Sequence, residues 1–314
     1  MRIVVLAGGI GGARFLLGVR AWAENHHQVT AIVNTGDDLV IHGLRICPDL
    51  DSVMYTLGGG ADPERGWGRR DESWVVKEEL ARYGAEPTWF GLGDRDIATH
   101  LIRTRMLAAG YPLSAVTEAL CQRWKPGIRL LPMTDDRVET HVVTGGQAMH
   151  FQEWWVRHRA SLPAERFVFV GADQAKPAAG VLDAIAEADL ILIAPSNPVV
   201  SIGPILAISG IAEAVRGGNA PVIGFSPIIG DAPVRGMADR CLAALDVKVS
   251  AEGVGQMYGA RSAGGLLDGW LVDSVDAETE VPGVTVLARP LWMTDEAETA
   301  RMVADAVALA GLAS

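Results

Sequence analysis

Three cysteines in 314 residues, far apart at Cys47, Cys121 and Cys241 and without a CxxC pair, argue against a disulfide framework or a cysteine zinc site. Positive charge is also scarce: 27 Lys and Arg against 38 Asp and Glu leave a net charge of −11. Duplex nucleic acid is a poor partner for such a chain, because that binding rests on clustered Lys and Arg. Small phosphorylated ligands and a divalent cation need only a local field and remain open. No apolar run approaches the ~20 residues needed to span a bilayer. The opening strand meets glycine at Gly8 and Gly9, too early for a signal peptide. A cytoplasmic protein with no membrane contact is expected. Repeats, low-complexity tracts and Ser- or Pro-rich linkers are missing as well. What the chain does have is 49% hydrophobic residues, enough for a sizeable core.

Residues 2–7 read as a β-branched strand, followed by a glycine loop, a helix from Ala13 to about Ala23 and a strand at about Val29–Val33. This βαβ order implies a parallel sheet. Phe167–Val170, Leu190–Ala194 and Val222–Phe225 have the continuous apolar character of buried parallel strands. Helical patterns lie at Ala178–Ala188, roughly Ile202–Val215 and about Asp295–Ala310. Between the halves, 73–83, 94–109 and 113–124 read as consecutive helices. Residues 138–143 alternate like a half-exposed strand, and Gly145-Gly146 predicts a hairpin turn before Ala148–Phe151. The expectation is one large α/β domain, Rossmann-like and doubly wound on a mainly parallel sheet, with a mostly helical insertion at about 60–165.

Four segments carry chemistry. Gly8-Gly9-Ile10-Gly11-Gly12-Ala13-Arg14 joins a strand to a helix, where glycines let backbone N–H groups approach a phosphate. It is neither a P-loop, since no Lys-Ser/Thr follows, nor a dinucleotide fingerprint, since Arg14 stands where Gly or Ala is required. The second segment supplies Asp37 and Asp38 after strand two, then Asp49 and Asp51 at a helix start. Four carboxylates in two loops exceed what capping needs; one cap and one or two magnesium ligands are expected among them. The third, Gly91–Arg103, would place Asp96, Thr99, His100 and Arg103 on one helix face. That face suits a hydroxyl-rich ligand or an ordinary polar surface equally. In the fourth, Ser196, Asn197 and Ser201 offer neutral donors after a strand, either for a nucleotide or as helix caps. The aromatic stretch His150–Trp155 could stack a flat heterocycle, although core packing is the commoner use.

Taken together, GGIGGARF, the Asn34–Asp38 loop, CPDLD, YTLGGG, GLGDRDIATHLIR, HFQEWW, APSNPVVSIGPI and SPIIG run in order over essentially the whole chain. In this they resemble the 2-phospho-L-lactate transferases of coenzyme F-420 biosynthesis, and within them the actinobacterial phosphoenolpyruvate transferase branch. The resemblance implies a homodimer that needs magnesium. Its donor is a three-carbon acid on guanosine diphosphate, enolpyruvate being favoured over phospholactate. The acceptor is the ribityl hydroxyl of 7,8-didemethyl-8-hydroxy-5-deazariboflavin, and GMP leaves. It further implies Asp38, Asp49 and Asp51 as metal ligands, with Asp49 or Asp51 also handling the hydroxyl. Gly8, Gly9, Gly11, Gly12, Thr35, Asp37, Ser196, Asn197 and Pro198 would hold the nucleotide. Asp94, Arg95 and His100 would line the acceptor side, Arg95 within catalytic reach. Two rivals are a nucleotide-sugar-binding regulator of related fold, for which the CPDLD carboxylates and Gly93–Arg103 would have no task, and a nicotinamide oxidoreductase, disfavoured by Arg14.

Overall fold

Six-residue β1 (Arg2–Ala7) is buried from Ile3 onward, as an apolar β-branched run must be when both faces of a sheet are covered. It is an inner strand, third from one edge, of seven parallel strands described by a computed structural model of residues 1–24 and 26–312. The other strands are β2 (Gln28–Val33), β3 (Arg129–Pro132), β4 (Leu190–Ile193), β5 (Val222–Phe225), β6 (Gly269–Val272) and β7 (Thr285–Ala288), in the spatial order β7-β6-β5-β4-β1-β2-β3. All six pairings are parallel. The order reverses between β1 and β4, and ligands of open α/β sheets bind in the crevice beyond the carboxyl ends of the strands at such a reversal.

Side chains of each strand alternate between two cores. Ile3, Val5 and Ala7 join Leu190 and Leu192 on one face, whereas Val4 and Leu6 join Ile191 and Ile193 on the other. The first face is covered by α1 (Gly9–Ala23), α2 (Pro48–Leu57) and the C-terminal helix Glu296–Leu309. Gly18 of α1 admits the C-terminal helix closely: a Cβ there would meet Thr299 Cβ at 2.3 Å. The opposite face is covered by shorter helices that contribute Ile185, Ile205, Ile211, Val215 and Leu242. Among the described residues no single helix is long and apolar enough to cross a membrane.

The doubly wound parallel sheet matches expectation, and so do the helices α3 (Val75–Arg82), α4 (Asp94–Ala108) and α5 (Leu113–Trp124) and the hairpin of Glu139–Thr144 with Gln147–His150. Three local readings need correction. Phe167–Val170 is not a strand of the parallel sheet: Arg166–Val170 pairs antiparallel with Glu139–Thr144, and its residues alternate between half-buried and exposed because that three-stranded sheet is solvated on one face. The single helix expected over 202–215 is broken. A wide-turned segment, Pro198–Ile202, leads into Gly203–Ala207, and Ile211–Gly217 starts afresh after Gly210 at φ +90. Finally, β3 returns from the middle of the 60–165 stretch to form one edge of the main sheet, its last residue a proline as edge strands permit.

Candidate active site

A cavity of about 840 Å³ opens at the carboxyl end of the sheet, where the strand order reverses. Its floor begins with the turn from β1 into α1. Gly8 is extended and must lack a side chain, because a Cβ would lie 2.6 Å from Asp49 Oδ2. Gly12 is held to glycine by Ser196 Oγ, 2.7 Å from where its Cβ would be. Ser196 stitches the loop after β4 to this turn: its hydroxyl donates to the Gly8 carbonyl at 2.8 Å and accepts from the Gly8 N–H at 3.2 Å. Asn197 caps the next segment, accepting from Val199 and Val200 N–H. Asn197 therefore has the structural work expected of a cap and Ser196 that of a tie between loops, and both still line the cavity together with Gly8, Gly9 and Gly11. Gly12 and Pro198 do not border it.

Asp37, Asp49 and Asp51 line the same cavity and are almost wholly buried. Asp49 Oδ2 accepts from Asn34 Nδ2 at 2.9 Å, while Asp37 Oδ1 has no hydrogen-bond partner. Burial, then the neighbouring Asp49 and Asp38 charges, push the Asp37 carboxyl well up. Burial likewise lifts Asp49 to about 6, against the pull of Asn34 and the Gly9 N–H. Asp38 is elsewhere: it pairs with Arg45 at 3.0 Å, fully buried and outside the cavity wall. Thr35 is also buried away from the wall. Two adjacent turn residues thus point in different directions, and Asp37 is the one that faces the ligand space.

Because a carboxyl raised on folding favours the folded state only below its pKa, Asp49 has a signed effect on stability. Its contribution is fully present below its ordinary 3.8 and is lost as pH rises through about 6. At pH 7.5 the ligand-free protein should bear a cost on the order of 2–3 kcal/mol at this site. Asp49→Asn should therefore melt higher than the parent at pH 7.5, the gap closing towards pH 4.5. Differential scanning fluorimetry across that range checks this; a gap that widens towards acid would contradict it.

The helix face proposed from Gly91–Arg103 is a wall of the cavity rather than ordinary surface. Asp96 and His100 line it, and Arg103 lies behind them at 1% exposure. Arg103 donates to Asp51 Oδ1 and to His100 Nδ1, the latter at 3.1 Å. An arginine can only donate, so His100 Nδ1 is the acceptor and its proton sits on Nε2, 3.2 Å from Asp96 Oδ2 but out of line for a hydrogen bond. The Tyr55 hydroxyl donates to Asp96 Oδ1 at 2.5 Å. Burial acts to raise the Asp96 carboxyl, but His100, Tyr55 and Arg103 together hold it below the usual range. Asp51 lines the cavity, and its Oδ2, 3.7 Å from His100 Nδ1, is left with no hydrogen-bond partner. One ligand atom each from Asp51, Asp96 and His100 lie within 4.8 Å of one another.

Asp94 and Arg95 stand outside this wall. Asp94 caps α3, accepting from Val75 and Val76 N–H at 3.0 Å, and Arg95 is exposed. Of Asp94-Arg95-Asp96 only the third residue reaches the cavity, on the helix face that it shares with Thr99, His100 and Arg103. Tyr55 was missed altogether, though its i+4 spacing from Asp51 on α2 was a signal. The aromatic stretch divides: Trp154 is core, its indole donating to the Leu162 carbonyl, while Phe151 and Trp155 border the cavity. Trp67, Phe90 and Trp292 border it too and carried no signal beyond residue type.

The family model described as 2-phospho-L-lactate transferase CofD matches residues 3–303. Phosphoenolpyruvate transferases are among the similar proteins. That of Thermobifida fusca is 63% identical, covering 99% of this chain and 98% of its own. That of Nocardia farcinica is 61% identical over 99% and 95%, and that of Mycobacterium sp. (strain JLS) 60% over 99% of both. A crystal structure of a upf0052-family protein from Bacillus halodurans superposes with a TM-score of 0.63 at 17% identity, covering 96% of this chain and 98% of that one. It shows the shared fold.

Proposed function

Since this chain belongs to the 2-phospho-L-lactate transferase CofD family, we infer that its cavity joins an enolpyruvyl phosphate group, delivered on guanosine diphosphate, to the ribityl hydroxyl of the deazaflavin. The chain is a phosphotransferase of coenzyme F-420 biosynthesis; the choice of enolpyruvate follows the names of similar proteins 60–63% identical to it. The observation that carries the mechanism is Asp51 Oδ2, a buried acceptor with no partner at the cavity wall.

The ribityl oxygen forms a bond to the phosphorus that bears the acid. The bond from that phosphorus to the GMP phosphate oxygen breaks, and GMP leaves with the electron pair. The hydroxyl proton passes to Asp51 Oδ2, which Arg103 holds in place through the other oxygen. Asp96, kept ionised by His100 and Tyr55, accepts a hydrogen bond from a second ribityl hydroxyl. The glycine turn and the Ser196–Asn197 loop seat the nucleotide with backbone donors. Such transfers depend on positioning and charge stabilisation, and no covalent nucleophile is required.

The residues fit magnesium: Asp37 and Asp49 form an all-oxygen pair, and the buried Asp37 Oδ1 lacks a partner. Bound there, the ion would neutralise the diphosphate and the developing charge. Asp38, spent on Arg45, is left out of this set. A cytoplasmic homodimer belongs to the same reading, on the strength of the family resemblance.

The test is a product assay. Purified protein, magnesium and the deazaflavin alcohol are mixed with each guanosine-diphosphate-linked acid, made in place by its guanylyltransferase, and followed by mass spectrometry. A deazaflavin phosphodiester of enolpyruvate with stoichiometric GMP is expected. Product of another mass would reassign the donor. No product from any donor, with the deazaflavin unbound, would sink the transferase and favour a nucleotide-binding regulator.

A further inference from the structure

The cavity is electrically divided. Its four carboxylates, Asp37, Asp49, Asp51 and Asp96, come from the turn after β2 and from α2 and α4. Its only permanent cations among the described residues are Arg14, on the second turn of α1, and Arg235, in the segment after β5. Both are exposed, whereas Asp37, Asp49 and Asp51 are nearly wholly buried, so the acids form a floor and the arginines a rim. Neither arginine has an ion-pair or hydrogen-bond partner among the described residues. They lie close enough that, after burial, the Arg14 charge is what depresses the Arg235 guanidinium. Two like charges brought together at a cavity rim without an acid lack the partner that would offset their repulsion.

The placement of Arg235 is built in. Gly66 adopts φ +73, and a Cβ there would fall 2.1 Å from Arg235 Nη2, so the guanidinium reaches across to lie against bare backbone. A donor of the proposed kind carries anionic groups of two sorts. The diphosphate suits the acidic floor, where a divalent cation and backbone N–H groups would meet it. The carboxylate of the three-carbon acid has no claim on that floor and finds its complement at the rim, since a planar guanidinium matches a carboxylate with two parallel hydrogen bonds. Resting on the transferase reading above, we propose that Arg14 and Arg235 form a clamp for the acid's carboxylate and make the enzyme selective for donors that bear one.

The experiment compares parent, R14Q, R235Q, R235K and the R14Q/R235Q double variant. Two donors are used: the guanosine-diphosphate-linked acid and the same adduct with a carboxamide in place of the carboxylate. The parent should prefer the acid by 10–100-fold in kcat/KM, the range expected of a charge-assisted pair. The preference should fall within about threefold in the double variant, chiefly through KM, with R235K intermediate. GDP, which lacks the carboxylate, should bind parent and variants within about threefold by calorimetry. A preference that survives in the double variant overturns the clamp. So does a loss of GDP affinity as large as the loss for the acid donor, which would hand the arginines to the diphosphate. If the parent itself makes no phosphodiester from either donor, the transferase reading falls and the clamp falls with it; an active parent with indifferent variants removes the clamp alone.

Discussion

Asp51→Asn should lower turnover by roughly 10²–10⁴-fold, the usual worth of a positioned proton acceptor, with GDP affinity within a few-fold of the parent. The amide keeps an oxygen for Arg103 and so preserves the pairing geometry. What it loses is the second carboxylate oxygen, which has no hydrogen-bond partner on a residue that lines the cavity. Rapid-quench measurement of a single turnover separates the chemical step from GMP release, and a thermal melt confirms that the variant is folded. A single-turnover rate within tenfold of the parent would remove Asp51 from the proton-accepting role.

The largest effect on stability should come from the other end of that pair. Arg103 is 1% exposed and serves Asp51, His100 Nδ1 and, at 3.3 Å, the Arg45 carbonyl. Arg103→Met fills much of the volume but abandons a buried carboxylate, and breaking such a pair from one side typically costs about 3–5 kcal/mol. Urea unfolding should show a loss of that size. The D51N/R103M double variant should recover a substantial part of it, since neither partner is then left charged and alone. A loss under about 1 kcal/mol, or a double variant equal to the sum of the single ones, would mean that the pair is solvated rather than buried.

Much of the fold could be read from local pattern. Ile-Val-Val-Leu and Leu-Ile-Leu-Ile cannot be half-solvated, so a parallel sheet covered on both faces followed. Phe167–Val170 misled because its alternating burial, with Val168 and Val170 exposed, is invisible when both sets of side chains are apolar. Arg129–Pro132 escaped notice because four residues ending in proline read as a loop until a neighbouring strand recruits them. In the site, pattern found the loops but not the orientations. Asp37 and Asp38 are consecutive, and only the tertiary position of Arg45 decides which of them turns away. Asp94 and Asp96 stand two apart on a helix, roughly 200° around its axis, so a one-sided wall takes one and leaves the other to cap α3. Arg14 entered the sequence argument only as the residue that spoils a dinucleotide fingerprint, because its companion Arg235 lies far along the chain.

The strand order also has a consequence in time. β1 is flanked by β2 on one side and by β4 on the other, and Ile3 finds its partner Leu190 only after more than half the chain has been made. On the ribosome, β1, β2 and β3 can assemble as soon as residue 132 is free, but the second edge of β1 stays open until residue 193 has followed. At ~5–20 residues per second that interval is roughly 3–12 s. Throughout it, a strand that is apolar from Ile3 onward offers unpaired backbone to any neighbouring nascent chain. A strand buried inside the finished sheet, well protected once folding is complete, is therefore the part of the newborn polypeptide that most needs a chaperone's cover.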